Sequence, residues 1–213
     1  AQRSRRSSAW KNAAPSRDQV FQLKRTALLR ETARAFTARG YRDTSLDEVA
    51  KTLGVTKSAL YYYIKNKQEI LFECHVLAQD LGDVALDHAR KCGTDGCTRV
   101  VLFYQKYIEL LTGELGSCAV LTEFSALEPE NRAIIARRRD EFQVELSKLF
   151  ADGMEDGSIR ETDPRMALFL FMGAVNWLPQ WFRPEGELSG EIIARQFSDL
   201  LHAAIKTPTS DNQ

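Results

Sequence analysis

Residues 44–67, TSLDEVAKTLGVTKSALYYYIKNK, narrow what this chain can fold into more than any other stretch. Ser45 and Glu48 have the Ser-x-x-Glu spacing of a capping box, which predicts a helix from Leu46. Leu46, Val49, Ala50 and Leu53 then fall at i, i+3, i+4 and i+7, one apolar face. Gly54 stands where that helix must stop and turn, because glycine takes a positive φ without a Cβ clash. Thr56 is a second N-cap, opening a short helix expected to run through Tyr63. Asn66 with Glu69 repeats the cap spacing just before the apolar pair Ile70 and Leu71. Helix, glycine turn and helix form a helix-turn-helix, the second helix of which can enter the major groove of DNA.

The charge distribution fits that expectation. Formal net charge is zero over 213 residues, yet residues 1–67 hold 15 Lys and Arg against 5 Asp and Glu, while residues 68–213 hold 14 against 24. A basic first third joined to an acidic remainder points to a nucleic-acid module linked to a module with another task. Residues 1–16 carry Arg3, Arg5, Arg6 and Lys11 with no acid, and cannot bury a core. They are expected to be a basic disordered arm, either a solvated tail or an arm that follows the DNA backbone or minor groove. No apolar run approaches the ~18 residues that a membrane span needs, and no signal-peptide core is visible, so a cytoplasmic chain with no membrane contact is expected. Four cysteines in such a chain read as free thiols.

Along the rest of the chain only helical periods appear, so the fold class is all-α. Ser16 and Gln19 form a capping box for a helix ending at Gly40, with Val20, Leu23, Ala27, Leu28, Ala35 and Phe36 facing inward. From Asn66 a long helix is predicted to about Arg90. Cys92 to Cys97 reads as a loop, and a further helix spans about 98–112. Cys118 to Leu127 is predicted as a short apolar helix, and Pro129 as the first turn of a helix to Asp152. Asp163 and Pro164 begin the most apolar segment, in which Pro179 should kink or end the helix a turn early. Ser189 caps a last helix to Ile205. The expected domains are the arm (1–16), the helix-turn-helix domain (17–65), a larger helical domain (66–206) and a tail (207–213).

Residues 44–67 resemble the DNA-binding domain of TetR-family transcriptional regulators. Thr44, Ser45, Val49, Ala50, Gly54, Val55, Thr56, Leu60, Tyr61 and Lys67 stand at matching positions of that family's motif. Tyr63 replaces the usual His, and Ile64 the usual Phe. The resemblance implies a three-helix DNA-binding domain followed by a helical domain for effector binding and dimerisation, hence a homodimer on a double-stranded operator. It implies phosphate contacts from Thr44, Ser45, Tyr61, Tyr63 and Lys67. Lys57, Ser58 and Ala59, with Thr56 as cap, open the recognition helix, and Lys suits guanine O6 and N7. Tyr62 is expected in the core, since both faces of one turn cannot point at DNA.

For the larger domain, Tyr104, Tyr107, Phe124, Phe142, Phe169, Met172, Asn176 and Trp177 are candidates for an effector site. Few charges interrupt their helices, so a mostly apolar cavity is expected, with Asn176 and the tyrosine hydroxyls as its polar handles. The segment 181–186, with Leu188 and Ser189, is similar to family members that control lipid or steroid breakdown, some of which bind acyl-CoA thioesters. The resemblance thus implies a repressor released by a small apolar effector; a regulator responding to aromatic or multidrug compounds is the alternative. Neither a phosphate loop nor a nucleophile elbow is visible, and three histidines offer little for acid–base catalysis, so no enzyme activity and no cofactor are expected. His88 and Cys92, four apart and with Cys97 as a further candidate ligand, are the one pattern favouring an all-α metal-binding protein or enzyme instead. They are expected to be ordinary surface and partly buried side chains, not a metal site.

Overall fold

The computed structural model describes residues 15–114, 116 and 123–208. Among these, eight α-helices carry the chain: α1 Arg17–Arg39, α2 Leu46–Thr52, α3 Lys57–Tyr61, α4 Lys67–Cys92, α5 Gly96–Thr112, α6 Pro129–Glu155, α7 Pro164–Trp181 and α8 Gly190–Ile205. The expected all-α class is observed. No described helix is long and apolar enough to cross a membrane. The arm at 1–14 and positions 118–122 of the helix expected after Cys118 lie outside the described residues; of that helix only a 3-10 turn, Phe124–Ala126, is described.

The chain divides into two compact units, Ala1–Ile70 and Leu71–Gln213. In the first, the full capping box at Ser16 and Gln19 starts α1, and Gly40 ends it at φ 86°. Leu28, Ala33 and Phe36 of α1 are buried, as are Val49, Ala50, Leu60 and Ile64. Burial of the larger of these, Leu28, Phe36, Val49, Leu60 and Ile64, contributes about 1.5–3 kcal/mol each. Leu23, expected inside, is 65% exposed. The cap at Ser45 differs in detail from a box: its hydroxyl accepts from the Asp47 amide, while the Glu48 carboxylate pairs with Arg39 at 2.9 Å. Gly54 has φ 66° between α2 and α3, and nothing lies within 4 Å of where a Cβ would stand. A substitution there would be opposed by the backbone conformation alone.

In the second unit α5 packs against α8 and α6, and α6 packs against α7. Phe103, Tyr104, Ile108, Phe150, Leu168, Ile193 and Leu201 are part of its core. The start of α5 meets α6 through two glycines: a Cβ on Gly96 would lie 2.1 Å from the Gly153 Cα. The expected loop 92–97 is shorter than foreseen, because Asp95 caps α5 by accepting from the Thr98 amide at 2.7 Å. At the other end, α6 runs on to Glu155, past the expected Asp152. Likewise α7 continues through Pro179 to Trp181: Pro179 has no N–H to donate, and Phe182 still donates to Leu178 at 2.8 Å. After α8 the chain is tied back to the α6–α7 turn by Arg160 N to Ile205 O at 2.9 Å and Thr207 N to Ser158 O at 3.1 Å.

Candidate functional site

In the first unit, α2 and α3 present one run of exposed polar side chains. Thr56 caps α3 by accepting from the Ala59 amide at 3.2 Å. Thr56, Lys57, Ser58 and Ala59 are all exposed, as is Ser45 at the start of α2. Lys57 Nζ lies 2.9 Å from Asp47 Oδ1, and this hydrogen-bonded carboxylate raises the lysine's pKa. The pair spans α2 and α3 in the open, where such bridges contribute little stability and exchange readily for another anion.

The tyrosines that follow do not divide as expected. The helix ends at Tyr61, two residues short of Tyr63, and Tyr62 is 72% exposed rather than in the core. Leu60 and Ile64, on either side of the three tyrosines, fill the buried positions instead. Tyr62 stands edge-on to Phe21 and to Tyr63, with centroids 5.7 and 5.1 Å apart. Tyr61 is 44% exposed, and Tyr63 is half-buried against Phe21. Tyr62 is thus a surface aromatic beside α3 that the alternating-face argument missed.

Two residues at phosphate-contacting positions of the motif are engaged within the protein. Thr44 is 3% exposed, and its hydroxyl donates to Ala35 O at 3.1 Å and Gly40 O at 2.9 Å. Lys67 Nζ donates to the carbonyls of Tyr41, of Arg42 at 3.2 Å and of Thr44 at 2.9 Å, and sits 4.4 Å from the Tyr41 ring centre. Burial lowers its pKa. Both residues fasten the turn between α1 and α2, which sets where Ser45 and α2 stand.

The second unit encloses a half-open cavity of about 420 Å³ between α4, α5, α6 and α7. Of the eight candidates, Tyr107, Phe142, Phe169, Met172 and Asn176 line it; Tyr104, Phe124 and Trp177 do not. Tyr104 is 2% exposed in the core, its hydroxyl without a partner among the described residues and its pKa pushed up by burial. Phe124 lies under the Arg139 guanidinium, 4.4 Å from its carbon, so it touches a cavity residue without lining the cavity. Trp177 is 63% exposed, because one residue past Asn176 turns the side chain about 100° around the helix.

The wall is more polar than the sequence suggested, since Gln79, Arg139 and Gln143 join Asn176 on it. Gln79 Oε1 is buried without a partner among the described residues. Tyr107 is pushed up to about 12 by burial, which the Arg139 charge partly opposes. Beside the cavity His75 is 1% exposed, with Nδ1 3.4 Å from Arg139 Nη2. Burial first, and Arg139 second, bring its pKa down to about 4, so the ring is neutral. A signal for Arg139 existed: Ile135, Arg139, Phe142 and Leu146 are spaced as one helical face. Elsewhere, His88 Nδ1 and Cys92 Sγ approach to 3.8 Å on the surface, while Cys97 is buried at the start of α5. Among the described residues no three His, Cys, Asp or Glu side chains converge on a common point.

Comparison with known proteins gives consistent matches over both units. Residues 28–74 match the family described as bacterial regulatory proteins, tetR family, and residues 94–205, more than half of the chain, match the tetracyclin repressor-like C-terminal domain. Among solved structures, the TetR-family transcriptional regulator PfmR from Thermus thermophilus is 32% identical, with 83% of this chain and 97% of that one covered and a TM-score of 0.69. AibR in complex with isovaleryl coenzyme A and operator DNA is 29% identical, covers 87% of this chain and 100% of its own, and has a TM-score of 0.71. The HTH-type transcriptional repressor KstR2 of Rhodococcus jostii (strain RHA1) is 23% identical over 209 residues, 87% of this chain and 92% of that protein.

Proposed function

The chain belongs to the TetR family of bacterial transcriptional regulators, and from that premise we propose a homodimeric repressor whose grip on a palindromic operator is released by an amphiphilic small molecule in the second unit's cavity. It acts by binding and not by catalysis, in the cytoplasm, where its operator is. The observation that carries the DNA half of the reading is the exposed first turn of α3, with Lys57, Ser58 and Ala59 held outward on the Thr56 cap. Side chains at the start of such a helix reach base edges, and in this reading Ser45, Tyr61, Tyr62 and Tyr63, which flank it, contact the phosphate backbone.

The dimer half is supported by apolar side chains that the single chain leaves open. Met166, Phe169, Leu170 and Trp177 on α7 are each more than half exposed, and Leu200 on α8 is 70% exposed. Contiguous apolar faces of this kind mark association surfaces. For the effector, the cavity's apolar side chains favour a hydrocarbon body over a sugar or amino acid. The relation to AibR, crystallised with isovaleryl coenzyme A and operator DNA, supports an acyl or similarly lipidic compound. Helix α4 is the proposed link, because it starts in the first unit and lends Ala78 and Gln79 to the cavity wall.

A selection from random duplexes by the full chain tests the reading. It should return an inverted repeat whose half-sites lie roughly 34 Å, or a multiple of it, apart. Enrichment of no sequence, or of a single unrepeated site, would overturn the dimeric operator.

A further inference from the structure

We infer that the cavity is built for an amphiphilic carboxylate, with Arg139 as the residue that selects the acid headgroup. This rests on the reading of the cavity as the effector site. The consecutive arginines of α6 have different surroundings. Arg138 Nη2 is bound by Asp80 at 2.9 Å and Asp83 at 2.8 Å, and Arg137 lies 3.9 Å from Glu141. Arg139 lines the cavity, and among the described residues no ion pair joins it to a carboxylate. Its neighbours are the neutral His75 ring, at 3.4 Å, and the face of Phe124. Both orient a guanidinium without neutralising it.

Arg139 is exposed and lines a half-open cavity, so an incoming ligand can reach it. Next to it on the wall, Gln143 follows one turn later on α6. The rest of the wall is largely apolar, with Leu111, Phe142, Leu146, Leu168 and Met172 among its side chains. A planar fork of N–H donors in a wall that is otherwise mostly hydrocarbon matches a carboxylate with a lipidic body. The unpartnered Oε1 of Gln79 adds an acceptor for a hydroxyl or N–H on that body. A neutral lipid would leave the guanidinium without its anion. A coenzyme A thioester carries its charge on phosphates remote from the acyl group and presents only a neutral carbonyl at the head of the chain.

Calorimetry on the full chain distinguishes these. The probes are dodecanoate, dodecanol and dodecanoyl-CoA, with a steroid carboxylic acid and its alcohol as a second body shape. For at least one body shape the acid should bind about 10- to 100-fold more tightly than its alcohol, the range for a hydrogen bond to a charged group. Arg139→Gln should remove that difference while leaving alcohol affinity within about threefold, and Arg139→Lys should restore part of it by charge without the fork. Alcohols that bind and release operator as well as the acids would overturn the role of Arg139 while leaving the effector cavity intact. So would binding of dodecanoyl-CoA alone, or equal losses for acid and alcohol in Arg139→Gln. Failure of every probe to bind would remove the effector reading and this inference together.

Discussion

Replacing Lys67 by Met separates two roles for a residue that the family motif assigns to DNA. Methionine keeps an unbranched apolar stem and removes the ammonium, so the carbonyls of Tyr41, Arg42 and Thr44 lose a shared donor. The contact with Arg42 is exposed and is replaced by water, whereas those with Tyr41 and Thr44 are partly buried. Hydrogen bonds to a charged donor contribute roughly 1.5–3 kcal/mol each, discounted here because the ammonium is partly solvated. The cation–π contact with Tyr41 adds about 0.5–1 kcal/mol. Local destabilisation of about 2–3 kcal/mol follows. Amide hydrogen exchange over residues 41–50 should therefore accelerate roughly 30- to 150-fold, at tenfold per 1.4 kcal/mol. Under conditions where the variant is still folded, the salt dependence of operator binding should keep its slope. A phosphate contact would instead lower that slope by about 0.9. Unchanged exchange together with a flattened slope would refute the positioning role.

Further outcomes follow from the same geometry. Lys57→Ala should relax preference at one base position by about 1–3 kcal/mol, measured by binding to operator variants; a uniform loss on operator and random duplex would place the lysine on the backbone. Leu200→Asp should give a folded monomer in sedimentation with weak operator binding, whereas charge at Leu201, 1% exposed, should unfold the second unit; a dimeric Leu200→Asp variant would move the interface elsewhere. His75 carries a pH dependence: its folded pKa of about 4 lies below its ordinary 6.5, so the unfolded chain binds more protons between those values. Stability is then full above about pH 6.5 and falls by about 3 kcal/mol as pH drops through that window, and His75→Leu should flatten the fall in urea titrations.

What the sequence made legible was local chemistry. Caps at Ser16, Thr56, Asn66, Asp163 and Ser189 sit where a side-chain oxygen had an amide two or three residues on, and each makes that bond. Pro179 does not end the helix early, because only two helical residues follow it and little helix is there to be lost. Tyr62 misled because three consecutive tyrosines offer no polarity contrast; burial of Leu60 and Ile64 decides which way that turn faces. Lys67 has a role that no motif reveals, since its partners are carbonyls more than twenty residues earlier. Arg139 was hidden in a run of arginines that reads as a solvated face, although its register with Ile135, Phe142 and Leu146 was present. Trp177 and Phe169 show the converse: aromatic character alone does not separate a cavity wall from an outer face, and Phe169 is both, lining the cavity while 51% exposed.

The central claim is that occupancy of the second unit's cavity governs DNA binding by the first. Its most direct test is the operator dissociation constant of the full chain, measured by fluorescence anisotropy on the selected operator. It is measured with and without a saturating amphiphile whose binding calorimetry has established. A coupling of about 1–3 kcal/mol predicts that the ligand weakens operator binding 5- to 150-fold, and that operator weakens ligand binding by the same factor. Full occupancy of the cavity with an unchanged operator affinity would contradict the account.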